Sequence, residues 1–274
     1  MRYIKLRSRG EFVSYLQELL GKLGYEIPAT GYFGTMTDAA VRDFQGKNDL
    51  VVDGEVGIKT WTVLIGKTKP AQELESKFLG EQDLRNFAIQ NNLELAAVKA
   101  VNEVESSGKG FLVDGRPKIL FEGHVFWNQL KLRGINPSQL ANASNADVLY
   151  SKWTRSHYIG GTGEYSRLEK AATLNSDPKF REAALASASW GSYQIMGYHA
   201  EKLGYPSIKD FVDEMYEHER NQLQAFGKYL TAFGCINHLR AKNWAKFANC
   251  YNGPQYAKNK YDTKMANAYQ KYLT

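Results

Sequence analysis

The stretch LELAAVKAVNEVES, residues 93–106, decides how the larger part of the chain is read. Val98, Val101 and Glu105 fall at i, i+3 and i+7 and share one face of a helix, while Glu103 falls with Lys99, four residues before it. The shared face is apolar, so the spacing sets a carboxyl on the side that packs inward. An ionised group taken out of water without a partner is costly, and it responds by raising its pKa until it keeps its proton. A carboxyl protonated near neutrality is what a general acid needs.

Outward from this stretch, helical periodicity continues in EQDLRNFAIQNN (81–92), FREAALASASW (180–190) and IKDFVDEMYEHERNQLQAFGKYLTAF (208–233). It returns in NWAKFANCYNG (243–253) and YDTKMANAYQKYL (261–273). KILFEGHVF, 118–126, is expected as a short strand or a buried extended segment. The fold class is therefore mainly α. With 274 residues, 43% hydrophobic and 23% charged, the chain is long enough for two unequal cores. The net charge of +6 favours polyanionic partners in general, but no lysine and arginine block with interleaved aromatics stands out, so a nucleic-acid groove is not expected. No apolar run approaches the roughly 18 residues of a membrane span, and the basic start MRYIKLRSRGEF lacks the apolar centre of an export signal. The expectation is a protein made in a cytoplasm, with no stable membrane insertion.

Only Cys235 and Cys250 are present, without CxxC or a histidine at metal spacing. Two buried thiols are favoured over a disulfide formed after the chain leaves the cytoplasm. His124 and His157 lack HExxH or comparable spacing, so neither a metal site nor a cofactor is expected. Ser106 has no nucleophile elbow around it.

The first seventy residues repeat themselves. TGYFGTMT (30–37) and DGEVGIKT (53–60) share glycine, glycine and threonine at Gly31, Gly34, Thr37 and Gly54, Gly57, Thr60. Each copy reads as a tight glycine turn capping a helix, which gives three helices at 11–23, 36–46 and 58–65. Phe12, Leu16, Leu19, Leu20 and Leu23 supply an apolar stripe, and Val41, Phe44, Trp61 and Leu64 close a small core. Phe33 and Trp61 read as core and Tyr32 as exposed. The pattern resembles the type 1 peptidoglycan-binding domain of bacterial and phage cell-wall hydrolases over about residues 9–66. The resemblance implies a wall-binding face near the two glycine turns, at Gly31, Tyr32 and Gly54. KTKPAQELESKFLG, 67–80, breaks the pattern and reads as a linker, with the second domain at 81–274.

Three islands of that second domain, EVESSG (103–108), SWGSYQIMG (189–197) and CYNGP (250–254), resemble in type and order the lysozyme-like superfamily. More closely, VESSGKGFLVDGRPKILFEGHVF, SWGSYQIMG and YNGPQYAKNKYDTK resemble the N-acetylmuramidase domain of modular phage endolysins. The resemblance implies a three-helix wall-binding domain ahead of a larger, lysozyme-like helical domain. It implies hydrolysis of the β-1,4 bond between N-acetylmuramic acid and N-acetylglucosamine, with Glu105 as proton donor. Tyr193, Gln194, Ile195, Tyr251 and Asn252 would lie along the glycan cleft.

For a second carboxyl the first choice is Glu122 in LFEGH, flanked by Leu120 and Phe121 in an apolar segment; a buried ion pair with Arg116 or Lys118 is the alternative. Asp114 reads as a turn former and Glu103 as a solvated partner of Lys99. The implied partners are peptidoglycan and a separate membrane-permeabilising protein, a holin, that releases a monomeric enzyme from the host cytoplasm to the periplasm. A lytic transglycosylase sharing the glutamate and a non-catalytic wall-binding virion protein are the rival readings.

Overall fold

The computed structural model describes residues 3–68, 77–106, 110–112 and 114–273. Of the expected linker, residues 69–76 lie outside the described residues, as do Ser107 and Gly108 of the EVESSG island. Among the described residues the fold is mostly helical, with three short strands. By packing the chain forms two compact units, one of residues 1–75 with 119–188 and one of residues 76–118 with 189–274.

In the first unit, helices Glu11–Lys22, Thr35–Lys47 and Ile58–Thr68 follow the sequence periodicity closely. The core gathers Val13, Tyr15, Leu16, Leu19, Leu20, Phe33, Val41, Phe44, Trp61 and Leu64, and Tyr15 stacks on Trp61 with ring centres 5.8 Å apart. Phe12 and Leu23, expected in the stripe, are only partly buried, because the inward face is turned toward Val13 and Tyr15. Phe33 and Trp61 are buried and Tyr32 is exposed.

Two buried glutamines build the repeated turns. Gln17 accepts from the Gly31 amide (3.0 Å) and donates to the Tyr32 carbonyl (3.0 Å) and Thr37 Oγ1 (2.9 Å). Gln45 does the same one repeat later, accepting from the Gly54 amide (2.9 Å) and donating to the Glu55 carbonyl (3.0 Å) and Thr60 Oγ1 (3.3 Å). A carboxamide offers donors and an acceptor at once, so one side chain satisfies a whole turn. Gly31 and Gly54 have φ of 69° and 72°, the left-handed region that a side chain resists.

Residues 119–188 of this unit are tied by a buried ion pair. Glu164 and Arg167 lie 2.7 Å apart with side chains 0% and 2% exposed. Glu164 also accepts from the amides of Phe121, Ile159 and Gly160, and Arg167 donates to the carbonyls of Phe121 and Asp147. Strand Ile119–Phe121 is thereby fixed to helix Gly163–Ala172. KILFEGHVF is thus strand only as far as Phe121; Glu122 is the extended residue that opens helix Gly123–Leu132.

The second unit holds helices Glu81–Gln90 and Leu95–Val101, a π-helical turn Asn102–Ser106, and helices Ile208–Glu217, Glu219–Ala232, Ile236–Arg240, Trp244–Asn252 and Tyr261–Tyr272. The run 208–233 is broken at His218, which takes an extended conformation and accepts from the Arg220 amide (2.9 Å) to cap the next helix. Ser207 and Asn243 cap their helices in the same way. Ser189 and Trp190 pair antiparallel with Met196 and Ile195. Buried Gln222 holds the turn between them, accepting from the Ser192 amide at 2.7 Å. Cys235 and Cys250 form a disulfide, which corrects the expectation of two thiols; which side of that choice holds was set by tertiary placement and not by their spacing. Among the described residues no helix is long and apolar enough to cross a membrane.

Arg167→Met strands the Glu164 carboxylate without its cation in the interior of the first unit. We expect a loss of about 3–5 kcal/mol in unfolding free energy, measured by urea denaturation; a loss under about 1 kcal/mol would show that the pair is not what holds this segment.

Candidate functional site

Glu105 lies in the π-helical turn that ends the Leu95–Val101 helix. A π turn closes on i→i+5 bonds, so the 3.6-residue period that aligned Glu105 with Val98 and Val101 loosens at Asn102. One consequence corrects the sequence reading. Glu103 does not pair with Lys99; it accepts from Lys271 (2.7 Å) and Tyr272 (2.6 Å), while Lys99 pairs with Glu81 (2.8 Å).

Glu105 is partly buried and lines a cleft of about 350 Å³ with Tyr193, Gln194, Ile195, Met196, Tyr198, His199, Tyr229, Tyr251, Asn252 and Tyr261. Burial pushes its pKa up to about 7. Two groups oppose the shift without cancelling it: Asn252, whose Nδ2 donates to Oε1 at 2.8 Å, and the ammonium of Lys264. The balance follows from the environment, since desolvation penalises the charged form directly and one neutral donor with one exposed cation compensates in part.

Asn252 is the last residue of its helix, before Gly253 (φ 76°) and Pro254. Tyr251 donates to the Tyr193 carbonyl at 2.5 Å, and Tyr193 donates to Asn102 Oδ1 at 2.8 Å, joining the 250s to the hairpin and to the π turn. Burial, with the Glu105 carboxyl nearby, raises the pKa of both tyrosines, so both keep their protons and donate. The disulfide anchors this helix one residue before Tyr251.

The structure thus brings five expected residues, Tyr193, Gln194, Ile195, Tyr251 and Asn252, to the cleft of Glu105. Gln194, in the left-handed region at φ 48°, spends its amide on the hairpin: Nε2 donates to the Gly191 (2.8 Å) and Lys118 (3.3 Å) carbonyls, and Oε1 accepts from Ser189 (2.9 Å). Glu122 belongs to the other unit, where Tyr158 donates to both its oxygens at 2.7 Å and His124 Nδ1 lies 3.3 Å away. Asp114 accepts from the Arg116 amide and guanidinium, as a turn former does. In the N-terminal repeat Gly31 and Gly54 are buried, and the exposed Tyr32 carries the Arg9 guanidinium 4.1 Å from its ring centre. Met196, Tyr198, His199, Tyr229 and Tyr261 also line the cleft and were not among the expected residues: Met196 and Tyr261 lie inside the stretches SWGSYQIMG and YNGPQYAKNKYDTK, Tyr198 and His199 follow QIMG directly, and Tyr229 has no local signal. Among the described residues no group of three histidine, cysteine, aspartate or glutamate side chains converges as a metal site would.

A carboxyl that holds its proton near neutrality, in a cleft walled by hydroxyl, amide and aromatic groups, has the equipment to protonate a glycosidic oxygen. Residues 94–273 match the N-acetylmuramidase family and residues 9–64 match a peptidoglycan binding domain. The chain belongs to the N-acetylmuramidase family. It is also similar to the crystal structure of the Burkholderia AP3 phage endolysin, with 41% sequence identity, a TM-score of 0.66 and 99% of each chain covered. The curated proteins give no match.

Two outcomes test the site. Asn252→Ala removes a donor that favours the charged carboxylate, so the pKa of Glu105 rises and the alkaline limb of the pH–rate profile moves upward; a downward move would contradict the assignment. Replacing both cysteines by serine opens a loop of 15 residues and should cost about 3 kcal/mol in a denaturation experiment.

Proposed function

We propose that the protein is an endolysin that binds peptidoglycan and hydrolyses its β-1,4 bond between N-acetylmuramic acid and N-acetylglucosamine. The single observation that carries the reading is the Glu105 carboxyl, raised to about 7 by burial at the wall of its cleft, in a chain of the N-acetylmuramidase family. Glu105 gives its proton to the leaving oxygen as positive charge develops at the sugar, and water is the final acceptor. Asn252 holds the carboxyl in place from one side. Gln194 shapes the cleft by fixing the hairpin, while Tyr193, Ile195 and Tyr251 form its wall.

Glu122 is proposed as the second carboxyl, on its place in the sequence and its own surroundings. Tyr158 fixes both its oxygens with one hydroxyl, which suits a carboxylate held ready to orient water or to face positive charge. The N-terminal repeat would hold the wall through exposed Tyr32, with Gly31 and Gly54 shaping the turns beneath. Tethering to a polymer raises the local concentration of bonds at the cleft. The enzyme would act as a monomer, without nucleic acid, and pass from host cytoplasm to periplasm through the action of a holin.

Glu105→Gln should lower the rate of wall lysis by roughly 10²–10⁴ while sedimentation with purified wall is unchanged, and the fragments released by the wild type should end in reducing N-acetylmuramic acid. Anhydro ends would establish the transglycosylase instead. The same variant has a stability signature. Native Glu105 keeps its proton up to about 7 against a reference of 4.5, so the native state binds more protons between those values and stability falls as pH rises through them. Glutamine has no such loss. Glu105→Gln should therefore melt higher than the wild type above neutrality, with the gap closing toward acid pH.

A further inference from the structure

Part of the wall of the Glu105 cleft is a patch that the mechanism above does not use. Tyr198 and His199 belong to the short Gly197–His199 turn after the hairpin, and Tyr229 comes from helix Glu219–Ala232. All three line the same cleft as Glu105. Tyr198 is 43% exposed, although it is one of the larger apolar side chains. Its ring lies 4.3 Å from that of His199, which makes edge contacts with Tyr229 (5.4 Å) and Phe233 (4.9 Å), and these two stack at 4.3 Å. The platform is braced from behind, where Lys202 places its ammonium 3.7 Å from the centre of the Phe233 ring. Phe233 itself is not a lining residue; it is the support.

The chemistry of the patch is specific. A pyranose presents an axial C–H face that packs against an aromatic ring and a rim of hydroxyl and acetamido groups that need donors and acceptors. Tyr198 offers an exposed ring face, and an exposed ring held by neighbouring rings loses little freedom when it is covered. Burial and the Lys202 charge lower the pKa of His199 to about 4, so its imidazole is neutral wherever the enzyme works and carries one donor and one acceptor nitrogen. Among the described residues, neither ring nitrogen has a hydrogen-bond partner. A neutral imidazole beside an uncovered tyrosine, in a cleft with a proton donor further along, matches one N-acetylated sugar ring.

We propose that Tyr198, His199 and Tyr229 form a sugar-binding subsite of the cleft, with Tyr198 stacked on the pyranose face and His199 hydrogen-bonded to its hydroxyl or acetamido rim. The subsite rests on the glycan cleft proposed above. It binds a ring beyond the bond that is cut, so it contributes to holding the chain and not to proton transfer. These are positioning residues, and their loss should appear in KM.

The test uses the full chain and soluble glycan strands freed of peptide stems. Tyr198→Ala should raise KM about fivefold to tenfold with kcat within about twofold, and His199→Ala should raise KM about threefold or more. Tyr198→Phe should keep a KM near that of the wild type, because the ring and not the hydroxyl makes the contact. Tyr198 is at the surface, so both of its variants should fold, which circular dichroism checks. A KM unchanged in Tyr198→Ala overturns the subsite, as does a Tyr198→Phe as impaired as the alanine. Glu105→Gln run alongside separates the two claims: if it still cuts, the proton-donor reading falls, whereas an inactive Glu105→Gln with an unchanged KM in Tyr198→Ala removes the subsite alone.

Discussion

The desolvation of one carboxyl sets the requirements for the rest of the second unit. Glu105 is kept from water strongly enough to hold its proton to about 7, although Asn252 donates to it and Lys264 attracts its charged form. A carboxyl in that state needs walls that exclude water and partners that do not ionise it. Tyr193, buried, and Tyr251, partly buried, both keep their protons and supply the walls; Asn252, neutral, supplies the partner. The position of Asn252 depends in turn on a short helix capped by Asn243, ended by Gly253 and tied at Cys250 to Cys235. An error of an ångström along this series would admit water, which returns the carboxyl toward its ordinary pKa, or break the 2.8 Å contact, which removes a donor to the charged form and pushes the pKa higher still.

A second rule recurs across both units: a buried polar side chain satisfies the backbone of a turn that regular structure leaves unpaired. Gln17 and Gln45 do so for the two copies of the N-terminal repeat. Glu164 does so for Phe121, Ile159 and Gly160, and Gln222 for the hairpin that carries Gln194. None of these side chains lines the cleft of Glu105. They fix the turns from which the exposed or cleft-lining residues project.

Much of this was legible in the sequence. Periodicity gave the three N-terminal helices, because a surface helix must repeat its apolar positions, and the doubled glycine and threonine spacing marked the two turns. Glu105 stood out for being polar on an apolar face. The lost details depend on contacts distant in sequence. Gln17 and Gln45 look like any helix-surface glutamine until the turns 14 and 9 residues later fold over them. The partner of Glu103 lies 168 residues away, beyond the reach of a rule about neighbours four apart. Cys235 and Cys250 needed two helices to meet, and Tyr198, His199 and Tyr229 become a patch only when a turn and a helix come together.

The account is tested most directly by titrating the side-chain carboxyl of Glu105 in the free protein, by carbon-detected NMR with glutamate labelled at Cδ and Glu105→Gln to assign the signal. A midpoint near 7, well above the ordinary glutamate value of 4.5, is the result expected of a carboxyl held out of water. A midpoint at the ordinary glutamate value would mean that water reaches it freely, and Glu105 would not then be a proton donor at neutral pH.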